Sequence, residues 1–355
     1  MIITNYKEIF NLDKAVLDAI DPEIHKLLSF WKSREDKITV YTSGSTGNPK
    51  KINIYKNQMI ASAKNTLGYF DIKDNSTFLN CLPMKYIGGK MMLIRAILSK
   101  SRMVLCKPSV NPINQLDTEI DFIALTPLQL NYLLEKKHIF KKIKLAIIGG
   151  GLVSENLISK IQNLTTNCFQ TYGMTETISH IALRNLKNCT NKTPYKCLKD
   201  VKVGANNKNQ LIINSKELDI ENLVTNDKVK ILSNKEFLFL NRTDTIINSG
   251  GLKINPEEVE NEILKSLGDN NFFIDKIKND KFGEEIILIA LKKIKINLLI
   301  ESLNLIKDNY TYISDLNDID YTNKDKMKFL PVHDILTTNI FINTIYHKNK
   351  YDFCI

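Results

Sequence analysis

Residues 41–51 read YTSGSTGNPKK, a run of hydroxyl side chains and glycines followed by a proline and two lysines. Gly44 and Gly47 free the backbone of bulk, so successive N–H groups can wrap the oxygens of a phosphate. Ser43, Ser45 and Thr46 add hydroxyl donors, and Lys50 adds the countercharge. This is not a Walker loop, which needs Gly-Lys-Ser/Thr at a helix start; here Asn48 and Pro49 stand before the lysine. By composition alone a polar turn between two strands is the simpler account, so the rest of the chain must decide.

The chain has 355 residues, 43% hydrophobic and 25% charged, which suits a folded protein of two domains and excludes a disordered one. Its net charge of +10 is dispersed, with no basic block longer than two residues. Neither aromatic–basic interleaving nor a recognition-helix pattern marks a nucleic-acid surface. A positive cleft would instead steer small anionic substrates. The six cysteines form no C-x-x-C, and the N-terminus shows no apolar signal core, so a cytoplasmic location with free thiols is expected. The most apolar stretch, EEIILIALKKIKINLLI, is broken by Lys292 and Lys293 too early for a membrane span.

Apolar periodicity then supplies the elements. Strands are predicted at 37–41, 77–81, 122–125 and 143–148, and helices at 56–70, 90–99, 127–135 and 155–162, an α/β alternation. Shorter strands follow at 210–214, 229–232 and 237–240. Beyond about residue 241 come a helix in PEEVENEILKSL with Pro256 at its start, a strand at 282–291 and a helix at 298–307. The change of texture sets a domain boundary at 241–245.

Three more stretches carry chemistry: LAIIGGG at 145–151, TYGMTET at 171–177 and NRTDTIINSGGLKINPEEVE at 241–260. With TSGSTGNPK at 42–50 they resemble, in order, the signatures of the adenylate-forming superfamily, which holds acyl- and aryl-CoA ligases, luciferases and peptide-synthetase adenylation domains. The usual loop is T-S-G-[ST]-T-G-x-P-K-G, and only Lys51 departs from it. The resemblance runs from about residue 38 to about residue 330. It implies a large N-terminal domain of α/β layers (1–241) with a reduced N-terminal subdomain, and a small, mobile α+β C-terminal domain (245–355).

The activity implied is an acid:CoA ligation in two half-reactions. A carboxylate and MgATP give acyl-adenylate and pyrophosphate; a thiol then attacks and AMP leaves. Carboxylate and phosphate are both anions, so the site must neutralise charge and align them. By resemblance, ATP is held by Thr42, Ser43, Gly44, Ser45, Thr46, Gly47 and Lys50, by Gly149, Gly150 and Gly151, by Tyr172, Gly173 and Thr175, and by Asp227 and Arg242. Glu176 and Thr46 would hold Mg²⁺, a hard cation that favours oxygen ligands. The family's ribose motif Thr-Gly-Asp is here Thr225-Asn226-Asp227; asparagine tolerates left-handed backbone, so the turn is expected to persist. Asp244 matches the hinge of the small domain, and Gly250, Gly251 and Lys253 would serve the coenzyme A step. Lys326, in DYTNKDKMKF, falls on the catalytic lysine of a motif whose Pro, Arg and Gly are replaced, which leaves Lys324 and Lys328 as alternatives.

For the acid, LPMKYIGGKMMLIRAIL at 82–98 resembles the acyl-side stretch of o-succinylbenzoate:CoA ligases of menaquinone synthesis. Tyr86, Lys90, Arg95 and Thr126 are the substrate-side candidates, with Lys90 and Arg95 suited to a second carboxylate through charge-assisted hydrogen bonds. Arg95 on a helix surface, activation of another aryl or short acyl acid, and a non-catalytic adenylate-binding homologue are the competing readings.

Overall fold

Strands whose successive side chains point to opposite sides need cover on both faces, and that need organises the first 240 residues. The computed structural model describes residues 1–41, 51–109, 111–151, 153–190, 192–242, 247–249, 252–254, 256, 259–260, 263–264, 272–279, 283–290, 330–331 and 342–346. Contacts divide the chain into two compact units after Leu240.

The first unit contains strands β1 (Ile2–Asn5), β2 (Lys37–Tyr41), β3 (Lys51–Tyr55), β4 (Thr77–Asn80), β5 (Arg102–Leu105), β6 (Ile120–Leu125), β7 (Ile143–Ile148), β8 (Asn167–Gly173), β9 (His180–Asn185), β10 (Tyr195–Cys197), β11 (Lys202–Ala205), β12 (Gln210–Ser215) and β13 (Ile220–Ser233). Strand β14 (Glu236–Arg242) runs to the unit boundary. The helices are α1 (Lys14–Asp18), α2 (Pro22–Lys32), α3 (Lys56–Tyr69), α4 (Ile87–Leu98), α5 (Pro127–Glu135), α6 (Lys137–Phe140) and α7 (Glu155–Ile161). Twelve of the strands form one sheet in the order β1-β5-β4-β6-β7-β8-β9-β10-β14-β13-β12-β11. Strands β5, β4, β6, β7 and β8 run parallel, and β9 turns the sheet antiparallel.

Alternation along the parallel strands builds two cores. Phe78, Phe122, Leu145 and Ile147 meet Leu27, Met59, Met91 and Ile94 of α2, α3 and α4 on one face. Their neighbours Leu79, Ile123, Ala146 and Ile148 meet Leu130, Leu133, Phe140 and Leu157 of α5, α6 and α7 on the other. Each buried leucine, isoleucine, methionine or phenylalanine contributes about 1.5–3 kcal/mol by leaving water, which decides the face that every helix presents.

Two departures from the sequence expectations have local causes. Helix α4 begins at Ile87, three residues before the expected start, and takes in Gly88 and Gly89. A Cβ on Gly89 would lie 2.5 Å from the Pro83 carbonyl oxygen, so close packing on the preceding turn outweighs glycine's poor helix propensity. Residues 225–227 run extended inside the 14-residue β13, so the ribose-motif turn expected there is absent. Asn226 adopts no positive φ. Extension instead turns Thr225 and Asp227 to the same, buried face.

Strands β2 and β3 pair antiparallel with Tyr41 opposite Lys51, so residues 42–50 join the two strands of one hairpin. Those nine residues lie outside the described set, as do Thr42, Ser43, Gly44, Ser45, Thr46, Gly47 and Lys50 with them. The second unit holds β15 (Ile247–Ser249), β16 (Leu252–Ile254), β17 (Phe272–Asn279), β18 (Gly283–Ala290), β19 (Leu330–Pro331) and β20 (Ile342–Tyr346), in the order β16-β15-β18-β20-β19 with β17 also on β18. Val259, Ile263 and Leu264 form the buried stripe of the helix expected after Pro256. The helix expected at 298–307 lies outside the described residues. No helix among the described residues is long and apolar enough to cross a membrane.

Candidate active site

Because β4, β6, β7 and β8 are parallel, their carboxyl ends share one rim of the sheet. Cys81, Thr126, Gly149 and Met174 are the first residues beyond those ends. Strand order reverses between β4 and β6, since β5 lies on one side of β4 and β6 on the other. In open α/β sheets, ligands bind outside the carboxyl ends of strands at such a reversal. Both the glycine turn and the acyl-side stretch identified from sequence emerge on this rim.

Several of the nucleotide-side candidates of the first unit, Gly149–Gly151, Tyr172 and Asp227, lie on neighbouring strands or are bonded to each other here. Gly149, Gly150 and Gly151 leave β7; Gly150 has φ +79, a conformation that L side chains rarely adopt. The Gly149 amide donates to the Leu125 carbonyl at 2.9 Å, and Gln170 Nε2 donates to the Gly151 carbonyl at 3.2 Å, so the turn is fixed to both neighbouring strands. Tyr172 of β8 donates its hydroxyl to Asp227 Oδ2 of β13. Its ring packs edge-on against Phe237 (5.1 Å) and Tyr195 (5.8 Å), leaving it 8% exposed. Tyr172 is thus enclosed on its edges and bonded to a buried carboxyl group. Asp227 is 2% exposed, and its amide donates to Thr225 Oγ1 at 3.1 Å. Arg242 is half-buried at the end of β14.

Gly173 closes β8 where the next turn folds back. A Cβ there would lie 2.5 Å from His180 Cα and would also strike the Ser179 carbonyl oxygen, so only glycine fits. Thr175 and Glu176 occupy a single 3₁₀ turn, Thr175–Thr177, and the Glu176 carboxylate is exposed. Ile178 then takes φ +64, an outlier for a β-branched residue, and aims Ser179 and His180 back under α4.

One of the acid-side candidates, Arg95, meets this turn. Arg95 of α4 is 1% exposed, and its Nη2 donates to Ser179 Oγ at 2.8 Å. Its Nε has no partner among the described residues. Burial alone pulls the guanidinium down to about 9. His180 stands beside it, with Nε2 at 3.1 Å from Thr66 Oγ1. Thr66 donates its hydroxyl hydrogen to the Ser62 carbonyl, which leaves its oxygen to accept from His180. Burial first, then the charge of Arg95, hold His180 well below its ordinary value and therefore neutral.

The other acid-side candidates have different partners. Lys90, 3% exposed, pairs with Glu23 of α2 at 3.3 Å, so its charge is met from within the protein. The Thr126 hydroxyl accepts from the Gln129 amide at 3.2 Å as the N-cap of α5, and a Cβ on Gly150 would lie 4.0 Å from its methyl. Tyr86 is half-buried at the N-cap of α4, with Lys85 Nζ 5.5 Å from its ring centre. Lys253 lies in β16 opposite Asn248. Asp244, Gly250, Gly251 and Lys326 lie outside the described residues. Ser179, His180, Thr66 and Glu23 were not singled out from sequence. Ser179 and His180 directly follow TYGMTETI, and that adjacency was the one available signal.

Known structures share this fold. An acyl-CoA synthetase (AMP-forming)/AMP-acid ligase II-like protein from Dyadobacter fermentans superposes with a TM-score of 0.62 at 26% identity, over 90% of this chain and 97% of that one. The o-succinylbenzoate coenzyme A synthetase of Bacillus subtilis, solved with ATP and magnesium ion, gives 0.63 at 18% identity over 91% of this chain and 74% of its own, a likeness of fold. The fold is that of the adenylate-forming enzymes. The family model described as AMP-binding enzyme matches residues 30–207, half of the chain, and the chain belongs to that family. Among curated relatives, a 2-succinylbenzoate–CoA ligase of Bacillus cytotoxicus is 26% identical over 258 residues, 63% of this chain and 53% of the relative. The chain spans about half the length of that relative.

Proposed function

We propose that this protein is an AMP-forming acid:CoA ligase that activates a dianionic aryl acid, 2-succinylbenzoate, through an acyl-adenylate. The observation that carries the reading is Arg95. Its buried guanidinium donates to the neutral Ser179 hydroxyl, lies beside the neutral His180, and keeps Nε unpartnered among the described residues. A buried cation without a counter-ion is costly unless an anion arrives. A second carboxylate on the acid supplies that anion through charge-assisted hydrogen bonds, with Ser179 as an added donor or acceptor. The curated 2-succinylbenzoate–CoA ligase relatives support the same choice.

In this reading Tyr172, Asp227, Arg242 and the Gly149–Gly151 turn hold the adenosine, and residues 42–47 with Lys50 hold the phosphates. Among the described residues no three His, Cys, Asp or Glu side chains gather as a metal cage. That suits Mg²⁺, which takes one or two carboxylates and completes its shell with phosphate oxygens and water. Glu176, exposed at the rim, and Thr46 would hold it, and the ion would offset phosphate charge. Lys326 serves adenylation, Asp244 the rotation of the small domain, and Gly250, Gly251 and Lys253 the approach of coenzyme A. A cytoplasmic location supplies ATP and coenzyme A.

A panel of carboxylic acids incubated with ATP, Mg²⁺ and coenzyme A tests the proposal, with AMP release and thioester mass as readouts. Fastest turnover with 2-succinylbenzoate is the expected result. Turnover only with monocarboxylates would remove the second-carboxylate reading, and no AMP release with any acid would remove the ligase.

A further inference from the structure

Helix α2 reaches the acid side of the site through two carboxylates. Asp21 caps α2 with Oδ1, which accepts from the Glu23 amide at 2.9 Å. Its other oxygen, Oδ2, accepts from the Met84 amide at 2.8 Å, 63 residues away. Glu23 pairs through Oε2 with Lys90 at 3.3 Å, and Lys26 holds its Oε1. Met84 and Lys90 bracket the turn that leads into α4. Asn80, at the end of β4, closes the same turn from inside: Oδ1 accepts from the Leu82 amide at 3.1 Å, and Nδ2 donates to the Gly89 carbonyl at 3.2 Å.

We infer that Asp21 and Glu23 are positioning residues for the acid site, fixing the 82–90 turn and the start of α4 so that Arg95 meets the substrate's second carboxylate. This rests on the ligase reading above. Lys90 precedes Arg95 by five residues on one helix, about 7.5 Å of axial rise, so a displacement at the helix start is carried to the guanidinium. The carboxylate–amide bond to Met84 is charge-assisted and partly buried, the stronger kind of hydrogen bond. Lys90 is 3% exposed, and loss of Glu23 would leave a buried ammonium without its partner. Among the described residues, the hydrogen bonds of both carboxylates go to α2, Met84 and Lys90 and none to Tyr172, Asp227 or the Gly149–Gly151 turn, so their effect should fall on the acid alone.

The test uses the full chain with Asp21→Asn and Glu23→Gln, each nearly isosteric. Hydrogen exchange by mass spectrometry reads the turn without reference to activity: peptides covering 82–98 should exchange about tenfold faster, and those covering α5 should not change. In the kinetic arm, the KM for 2-succinylbenzoate should rise about tenfold, the size of one lost charge-assisted bond, with kcat and the KM for ATP within about twofold. Unchanged exchange at 82–98 overturns the proposal. So does an equal rise in both KM values, or a loosened turn with an unchanged acid KM. If the wild-type protein activates no acid, the ligase reading fails, and the exchange arm alone decides whether α2 holds the turn. If a single variant does not fold, Glu23→Leu with Lys90→Met replaces the charge pair by an apolar contact. It should restore slow exchange at 82–98, and continued fast exchange would count against the clamp.

Discussion

Arg95 and Ser179 come from segments 84 residues apart, and Nη2 of one lies 2.8 Å from Oγ of the other. Replacing the arginine should separate stability from activity. Arg95→Met keeps most of the volume and removes a buried charge that has no counter-ion among the described residues. Removing a buried charge that lacks a counter-ion also removes its desolvation cost, so the melting temperature should hold or rise. Use of a dianionic acid should fall about 30-fold or more, the equivalent of about 2 kcal/mol. Calorimetry beside steady-state kinetics checks both, and a variant that melts lower while retaining full acid affinity would contradict the assignment.

Tyr172→Phe removes the hydroxyl that donates to the buried Asp227. Hydrogen bonds to a charged group contribute about 1.5–3 kcal/mol, so urea unfolding should show a loss of that size. With its orientation relaxed, Asp227 should bind nucleotide more weakly, and titration with AMP should show about a tenfold rise in Kd. An unchanged Kd would move the ribose away from Asp227.

His180 makes a pH prediction with a definite sign. Its pKa in the folded chain lies well below 6.5 because of burial and then Arg95, so the unfolded chain binds the extra proton first. Stability from this group is complete above about pH 6.5 and falls as the pH drops toward the folded value, by up to about 1.4 kcal/mol per pH unit. Asp200 and Glu23, both held below their ordinary carboxylate values, weaken the fold only in more acidic solution. Unfolding free energies measured between pH 7 and 5 should slope for wild type, and His180→Gln should flatten that slope.

Gly173→Ala places a methyl against the backbone of Ser179 and His180, which cannot move as a flexible side chain would. The cost should reach or exceed the about 1–3 kcal/mol usual for overpacking. Soluble yield and the urea midpoint should both drop. A variant as stable as wild type would mean that the β8–β9 turn relaxes freely.

Lys326→Ala should cripple adenylate formation, read as ATP–pyrophosphate exchange. Thioester formation from supplied acyl-adenylate should persist. Equal loss of both steps would count against separate roles for the two half-reactions.

Local signals recovered several elements to the residue: apolar periodicity marked the hairpin strand β2, helix α5 and the parallel strand β7, and α5 also begins at its Thr126 cap. The start of α4 was missed because two glycines argue against helix, and the packing that requires them lies on a turn several residues earlier. Helix α2 went unread although Asp21-Pro22 followed by Glu23 is a helix-start signal in itself. At the candidate site, motifs drew attention to the glycine turn, Tyr172 and Asp227, and the hydrogen bond between Tyr172 and Asp227 joins two of those motifs in space. The partners of Arg95 and Lys90 were not, since hydrogen bonds across 84 and 67 residues leave no trace in spacing. The Thr225–Asp227 stretch shows the opposite error: a motif suggested a turn, and the chain instead stays within β13, where its register on β12 shifts.

The shared rim of β4, β6, β7 and β8 has an evolutionary consequence. In the proposed reading the adenosine-facing groups leave β7, β8 and β13, whereas the acid-facing groups sit on α4 and just before β9. On that reading selection can exchange one cargo for another by altering a few positions on a single helix, while the machinery that handles the energy currency is inherited intact.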